Sequence, residues 1–131
     1  MTTELTILVL AILLGLLHLV VAANASTKIR GIEWNAGPRD GAKTPLSGVA
    51  GRLDRAFRNY LETFAFFALA VVIAHLANRH NPLTISGAWL YLITRIIYLP
   101  LYAAGVPYLR SGAWLAASAG IVMILAGLYW P

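Results

Sequence analysis

An all-α integral membrane protein, built as a bundle of four spanning helices, is the fold the sequence predicts. Three observations carry that prediction. Of the 131 residues, 60% are hydrophobic and only 11% charged, against roughly 45–50% and about 25% in an ordinary soluble domain. The apolar residues gather in four stretches, each near the roughly 20 residues that a spanning helix needs. The breaks between them hold Pro, Gly and Asn, the residues that punctuate helices. So little chain is left over that residues 1–131 are expected to form a single membrane domain.

The first segment covers residues 5–25, "LTILVLAILLGLLHLVVAANA". Its end, "AANAS", has the look of a signal-peptidase site. Glu4 at the start, the lack of Lys or Arg there, and an apolar core beyond the roughly 7–15 residues of a signal peptide argue instead for an uncleaved helix. Residues 26–54 form a polar, turn-rich loop around "NAGPRDGAKTPLSG", with Lys28, Arg30, Arg39, Lys43 and Arg52.

The second segment covers residues 56–78, the third 84–104 and the fourth 112–130. Their connections, "NRHNPLT" and "AGVPYLRSG", are short, so consecutive helices should be antiparallel neighbours. The positive-inside bias puts the long first loop and Arg110 in the cytoplasm, with Arg79 as the one dissenting cation. Compact loops and a plain N-terminus point to a bacterial inner membrane. Trp34, Trp89, Trp114 and Trp130 lie at or near segment ends, where interfacial anchoring accounts for them. Ala116, Ala119 and Gly120 are small-residue positions suited to close helix packing.

Several function classes fall away. The formal charge is +5, but no soluble basic face or aromatic-interleaved groove exists to bind nucleic acid. Cysteine is absent, which removes disulfides, thiolate metal sites and a protein thiol nucleophile. His18, His75 and His80 do not make a ligand set, and no metal is expected.

The informative feature is polarity inside the second and third segments. Arg55, Asn59 and Glu62 fall at i, i+4 and i+7 on one helix face, with Arg58 one turn before Glu62. Arg95, Tyr98 and Tyr102 form a matching stripe in the third segment. With a rise of about 1.5 Å per residue, Glu62 lies roughly 10 Å and Arg95 roughly 14 Å into the membrane from the same side. A lone Arg at such depth costs at least about 2.5–3.5 kcal/mol, so Arg95 needs a partner, and Glu62 is the expected one. Pro100 frees the carbonyl of Ile96 from its backbone donor, which also suggests a polar cavity nearby.

Arg52, Arg55, Arg58, Arg95 and Arg110 outnumber Asp54 and Glu62 at this end of the bundle. The surplus suits an anionic ligand. Arginine's planar fork matches carboxylate, and several such forks with one carboxylate fit a ligand carrying two carboxylates and an amine, the inventory of glutathione. Its thiol, with a reference pKa of about 8.5, needs a nearby cation or hydroxyl donor to ionise at neutral pH. Arg110, Ser111, Tyr98 and Tyr102 lie near the same membrane face.

"RAFRNYLET", the helix after it, "TRIIYLPLY" and "LRSGAW" together resemble the MAPEG family, the membrane-associated proteins in eicosanoid and glutathione metabolism. The resemblance covers nearly the whole chain, and its most specific piece is Arg-x-x-x-Asn-x-x-Glu at Arg55, Asn59 and Glu62. It implies a homotrimer of four-helix bundles with glutathione between subunits near the cytosolic side. Arg55, Arg58, Asn59 and Glu62 resemble the family's glutathione ligands, with Tyr98, Tyr102 and Arg95 at the third-helix positions. Arg110 and Ser111 are similar to the Arg-Ser pair beside the thiol, Arg110 as thiolate stabiliser. Lys28 and Arg30 are both candidates for the family's first-helix arginine. The chain departs from the pattern at Phe57, where members often carry His, and in the Tyr102–Arg110 spacing. The implied activity is a glutathione-dependent transferase or peroxidase acting on lipophilic electrophiles or lipid hydroperoxides drawn from membrane lipids. The alternative is a non-catalytic accessory or scaffolding subunit of a larger membrane complex.

Overall fold

Gly31 stops the first helix, and it does so later than the apolar pattern suggests. In the computed structural model, which describes all of residues 1–131, α1 runs from Thr3 to Arg30. No Gly or Pro interrupts the chain after residue 25 until Gly31, which takes a φ of 86° that favours glycine. Lys28 and Arg30 in the last turn favour the negative end of the helix dipole. A short helix, α2 (Ile32–Ala36), follows. The expected loop of residues 26–54 is therefore extended backbone and turns only between α2 and α3.

The second spanning helix, α3, covers Gly48–Leu76 and begins eight residues before the expected start at 56. Its first two turns, "GVAGRLDR", are amphipathic rather than apolar, so hydropathy alone misses them. The third, α4, covers Pro82–Ala103, capped by Asn81, whose side chain accepts from the backbone N–H groups of Leu83 and Thr84. The fourth, α5, covers Pro107–Gly127. It starts five residues before the expected 112, because Pro107 suits the first helical position and Gly112 is carried inside the helix. Each of α1, α3, α4 and α5 is long and apolar enough to cross a membrane.

Pairing does not simply follow connection length, since α1 and α3 are joined by the longest connection. α1 packs on α3, α4 packs on α5, and α3 with α4 joins the two pairs, while α1 and α5 do not touch. The core along the bundle axis includes Ile7, Ala11, Phe67, Val71, Ala88, Tyr91, Ala117 and Ile124. Phe67 and Tyr91 stack across α3 and α4 with ring centroids 4.0 Å apart. The α4–α5 contact is the tightest: a Cβ on Gly120 would meet the Gly87 carbonyl at 2.6 Å. Small-residue packing thus runs through Ala117, Gly120 and Gly127, which are buried; of the expected trio only Gly120 takes part, and Ala119 is exposed.

The two ends of the bundle differ in chemistry. At one end Thr84 Oγ1 donates to the buried Glu4 carboxylate at 2.6 Å, His80 Nδ1 lies 3.2 Å from it, and Asn81 Nδ2 donates to the Gly127 carbonyl at 2.8 Å. The turn after α3 also brings the His75 and His80 rings to 5.7 Å, closer than their sequence positions suggest. The other end carries Arg30, Arg52, Arg55, Arg58 and Arg110.

Candidate functional site

Arg95 is the organising residue. It sits in the middle of α4 with none of its surface exposed, where a charge needs acceptors supplied by its neighbours. Those acceptors come from α3. Arg95 Nη1 donates to Asn59 Oδ1 and Nη2 to the Asn59 carbonyl, each at 3.0 Å, and Nη2 also donates to Thr63 Oγ1. Glu62, the expected partner, is not among them and is exposed on the outer side of α3.

Helical geometry gives the reason. At about 3.6 residues per turn, Thr63 lies roughly 40° from Asn59 around α3 and Glu62 roughly 60° the other way. The buried line on α3 is Ala56, Tyr60, Thr63 and Phe67, so Thr63 turns towards α4 and Glu62 away from it. Thr63 is the functional neighbour that the sequence pattern did not single out. Its signal was there, since Thr63 stands one turn after Asn59 on the same stripe. Tyr91, one turn before Arg95, hydrogen-bonds Thr63 at 3.2 Å.

From Arg95 an alternation of cations and aromatic rings leads outward. The Arg95 guanidinium carbon is 4.8 Å from the Tyr98 ring centroid, Tyr98 and Tyr102 are 5.4 Å apart, and the Arg110 guanidinium carbon is 4.7 Å from Tyr102. A guanidinium at such distances is attracted to the ring face. These groups border an open cavity of about 470 Å³, lined by Asn59, Tyr98, Tyr102, Arg110, Ser111, Trp114 and Leu115. That volume falls within the roughly 300–1,000 Å³ usual for small-molecule sites. Trp114, read from sequence as an interfacial anchor, is one of its walls. Ser111 Oγ donates to the Pro107 carbonyl at 3.1 Å.

The expected ligand set is divided by the fold. Asn59, Tyr98, Tyr102, Arg110 and Ser111 meet at the cavity, with Arg95 directly behind Asn59 and Tyr98. Arg55, Arg58 and Glu62 are exposed on the outer side of α3; Arg58 pairs with Asp54 at 3.1 Å. Arg52 Nε donates to the Ala103 carbonyl at 2.9 Å, satisfying the C-terminal end of α4. Arg30 lies on the far side of α3, with Nε donating to the Thr44 carbonyl at 2.9 Å.

A second, apolar groove borders the cavity at Trp114. It has a volume of about 460 Å³ between α3 and α5, shares Trp114 with the cavity, and is lined by Phe66, Leu69, Ile73, Ile121 and Leu125 among others. An open cavity that carries the Arg110 guanidinium, the Asn59 amide and two tyrosines, next to an apolar groove, can hold a charged ligand against a lipophilic one.

These features describe an integral, multi-pass membrane protein, a four-helix bundle with an open cavity at its surface that polar and aromatic side chains line. The sequence model of the MAPEG family matches residues 5–130, and the chain belongs to that family, which is associated with glutathione and eicosanoid metabolism. No curated protein and no solved structure matches the chain.

Proposed function

We propose that this protein is a membrane-embedded, glutathione-dependent transferase or peroxidase that acts on lipophilic electrophiles or lipid hydroperoxides. The observation that carries this reading is the Arg110 guanidinium over Tyr102, at the edge of a cavity that Asn59, Tyr98 and Ser111 also line. A cation and phenolic hydroxyls beside one space suit a thiolate. Lowering a thiol pKa by about two units takes only about 2.7 kcal/mol, within reach of one close cation.

In the transferase reaction the bound thiol gives up its proton and the thiolate sulfur bonds to the electrophilic carbon. The bonding pair of the leaving group departs with it, and that group takes up a proton. With a hydroperoxide, the sulfur takes the terminal oxygen and the alcohol leaves; a second glutathione then yields the disulfide and water. The apolar groove beside Trp114 supports a lipophilic second substrate, entering laterally from the bilayer.

Arg55, Arg58 and Glu62 remain exposed on a single chain, and charged groups facing lipid are costly. Their position supports assembly as a homotrimer in which a neighbouring subunit covers this stripe and glutathione binds between subunits. Glutathione's two carboxylates and amine then have Arg55, Arg58 and Glu62 as complementary partners. The test is calorimetric titration of glutathione into detergent-purified protein, wild type beside Arg55→Ala and Glu62→Ala. Saturable binding that both substitutions abolish supports the reading; a folded wild type that binds nothing refutes it.

A further inference from the structure

Two prolines bracket the corner between α4 and α5, and each leaves a carbonyl without its helical donor. Pro100 does this to Ile96, and Pro107 does it to Ala103, four residues before it. Between them the chain turns on itself. The amides of Ala104, Gly105 and Val106 donate to the carbonyls of Pro100, Tyr102 and Leu101, at 2.9, 3.0 and 3.1 Å. Gly105 makes the turn with a φ of 74°, which favours glycine. The Ala103 carbonyl takes no part in this internal set.

That carbonyl is held from α3 instead. Arg52 Nε donates to it at 2.9 Å, and the Arg52 side chain lies against the turn, where a Cβ on Gly105 would come within 3.8 Å of Cδ and Nε. Before Pro100, α3 and α4 are joined by several side-chain hydrogen bonds, through Thr63, Tyr91 and Arg95. Past Pro100, the Arg52 bond is the one that joins the corner to α3. The corner carries the chemistry of the cavity's edge. Tyr102 lies in the last turn of α4, directly before Ala103, and Arg110 lies in the first turn of α5, its guanidinium carbon 4.7 Å from the Tyr102 ring. Whatever fixes the corner fixes that pair.

We propose that Arg52 is a positioning residue of the site: through the Ala103 carbonyl it locks the α4–α5 corner to α3 and so sets Tyr102 and Arg110 at the edge of the cavity. Arg52 does not line the cavity. It acts on a bound thiolate through Arg110, as a brace and not as a ligand. A misplacement of about 1 Å at a reacting centre can cost about 100-fold in rate, so a brace outside the cavity matters to the chemistry inside it. The effect on turnover rests on the glutathione reading above. The lock itself does not.

Two substitutions separate the bond from the charge. Arg52→Met keeps the unbranched stem and removes the donor; Arg52→Gln removes the charge but carries an N–H donor at the same position along the side chain as Nε. Hydrogen–deuterium exchange on the ligand-free chain reads the lock. In Arg52→Met the amides of Ala104, Gly105 and Val106 should exchange about tenfold faster or more, with α1 and the first half of α4 as in wild type. Kinetics read the consequence: kcat for glutathione conjugation should fall about tenfold or more, with the KM for glutathione within about threefold of wild type. Arg52→Met/Arg110→Ala should be no slower than Arg110→Ala alone, since the brace acts through Arg110. Arg52→Gln should match wild type in both measurements, and if the methionine chain does not fold, the glutamine chain decides alone. Unchanged exchange at the corner in Arg52→Met, or a glutamine chain as impaired as the methionine one, overturns the proposal. So does a rise in the KM for glutathione that matches the fall in kcat, which would make Arg52 a ligand. A wild type that turns over no glutathione refutes the reading of the site, while the exchange comparison still decides the lock.

Discussion

Arg95 holds Asn59 at two points, the side-chain oxygen and the backbone carbonyl, each at 3.0 Å. The guanidinium plane reaches both while also serving Thr63, so one buried cation sets the position of α3 against α4 and the orientation of an amide at the cavity. An ammonium cannot reproduce that fork. Arg95→Lys is expected to lose about 2 kcal/mol of stability, the scale of a hydrogen bond to a charged group. Glutathione affinity should fall with it. Unfolding in detergent and calorimetry on the same preparation check both effects.

Arg110 offers the contrasting case. It is only half-buried, and its one contact of note is the Tyr102 ring, worth about 0.5–1 kcal/mol at an exposed site. Arg110→Ala should therefore melt within a few degrees of wild type. Removing one charge-stabilising donor from a reacting centre typically costs about 100-fold or more in rate. A loss of that size is expected here in glutathione conjugation, with a smaller change in glutathione affinity. Thiolate absorbance of the bound glutathione should disappear in the variant.

Ser118 sits in the apolar groove beside Trp114, with its hydroxyl turned back to the Trp114 carbonyl at 3.0 Å. Ser118→Phe would fill part of the groove without touching the polar cavity. The expected outcome is a raised KM for long-chain electrophiles and an unchanged KM for a small activated chloroarene. Equal effects on both substrates would place the lipophilic substrate elsewhere.

Gly87 and Gly120 let α4 and α5 meet backbone to backbone. A Cβ on Gly120 would lie 2.6 Å from the Gly87 carbonyl and 2.9 Å from the Tyr91 nitrogen. Since backbone cannot yield as a flexible side chain does, Gly120→Ala should cost about 1–3 kcal/mol. A Cβ on Gly112 would have nothing within 4 Å. That position lies inside α5, so Gly112→Ala should gain up to about 1 kcal/mol in helix propensity. Thermal melts of the two variants should move in opposite directions.

Thr84 ties the N-terminal ends of α1 and α4 together. Its hydroxyl donates to Glu4 at 2.6 Å and accepts from the Asn81 backbone N–H at 3.0 Å. Thr84→Val keeps the shape and removes both bonds, leaving a buried carboxylate short of a donor, at a cost of about 1–3 kcal/mol. Thr6→Val, at an exposed position whose hydroxyl bonds only the Thr2 carbonyl, serves as the near-neutral control in the same denaturation series.

The number of spanning helices, their antiparallel order and the polar stripes on the second and third of them were all legible in the amino-acid sequence. Composition and periodicity suffice there, because a membrane helix must satisfy its own backbone and shows its apolar length openly. The true starts of α3 and α5 were hidden, since "GVAGRLDR" and "PYLRS" continue a helix beyond the apolar stretch that reveals it. Which polar residues meet was settled by packing. A spacing of i, i+4 and i+7 places Asn59 and Glu62 on one stripe, but the packing of α3 on α4 turned Asn59 and Thr63 inward and left Glu62 outside. Arg95 takes its acceptors from whichever side of that stripe faces it, and that choice rests on contacts between helices, which spacing along one helix does not contain.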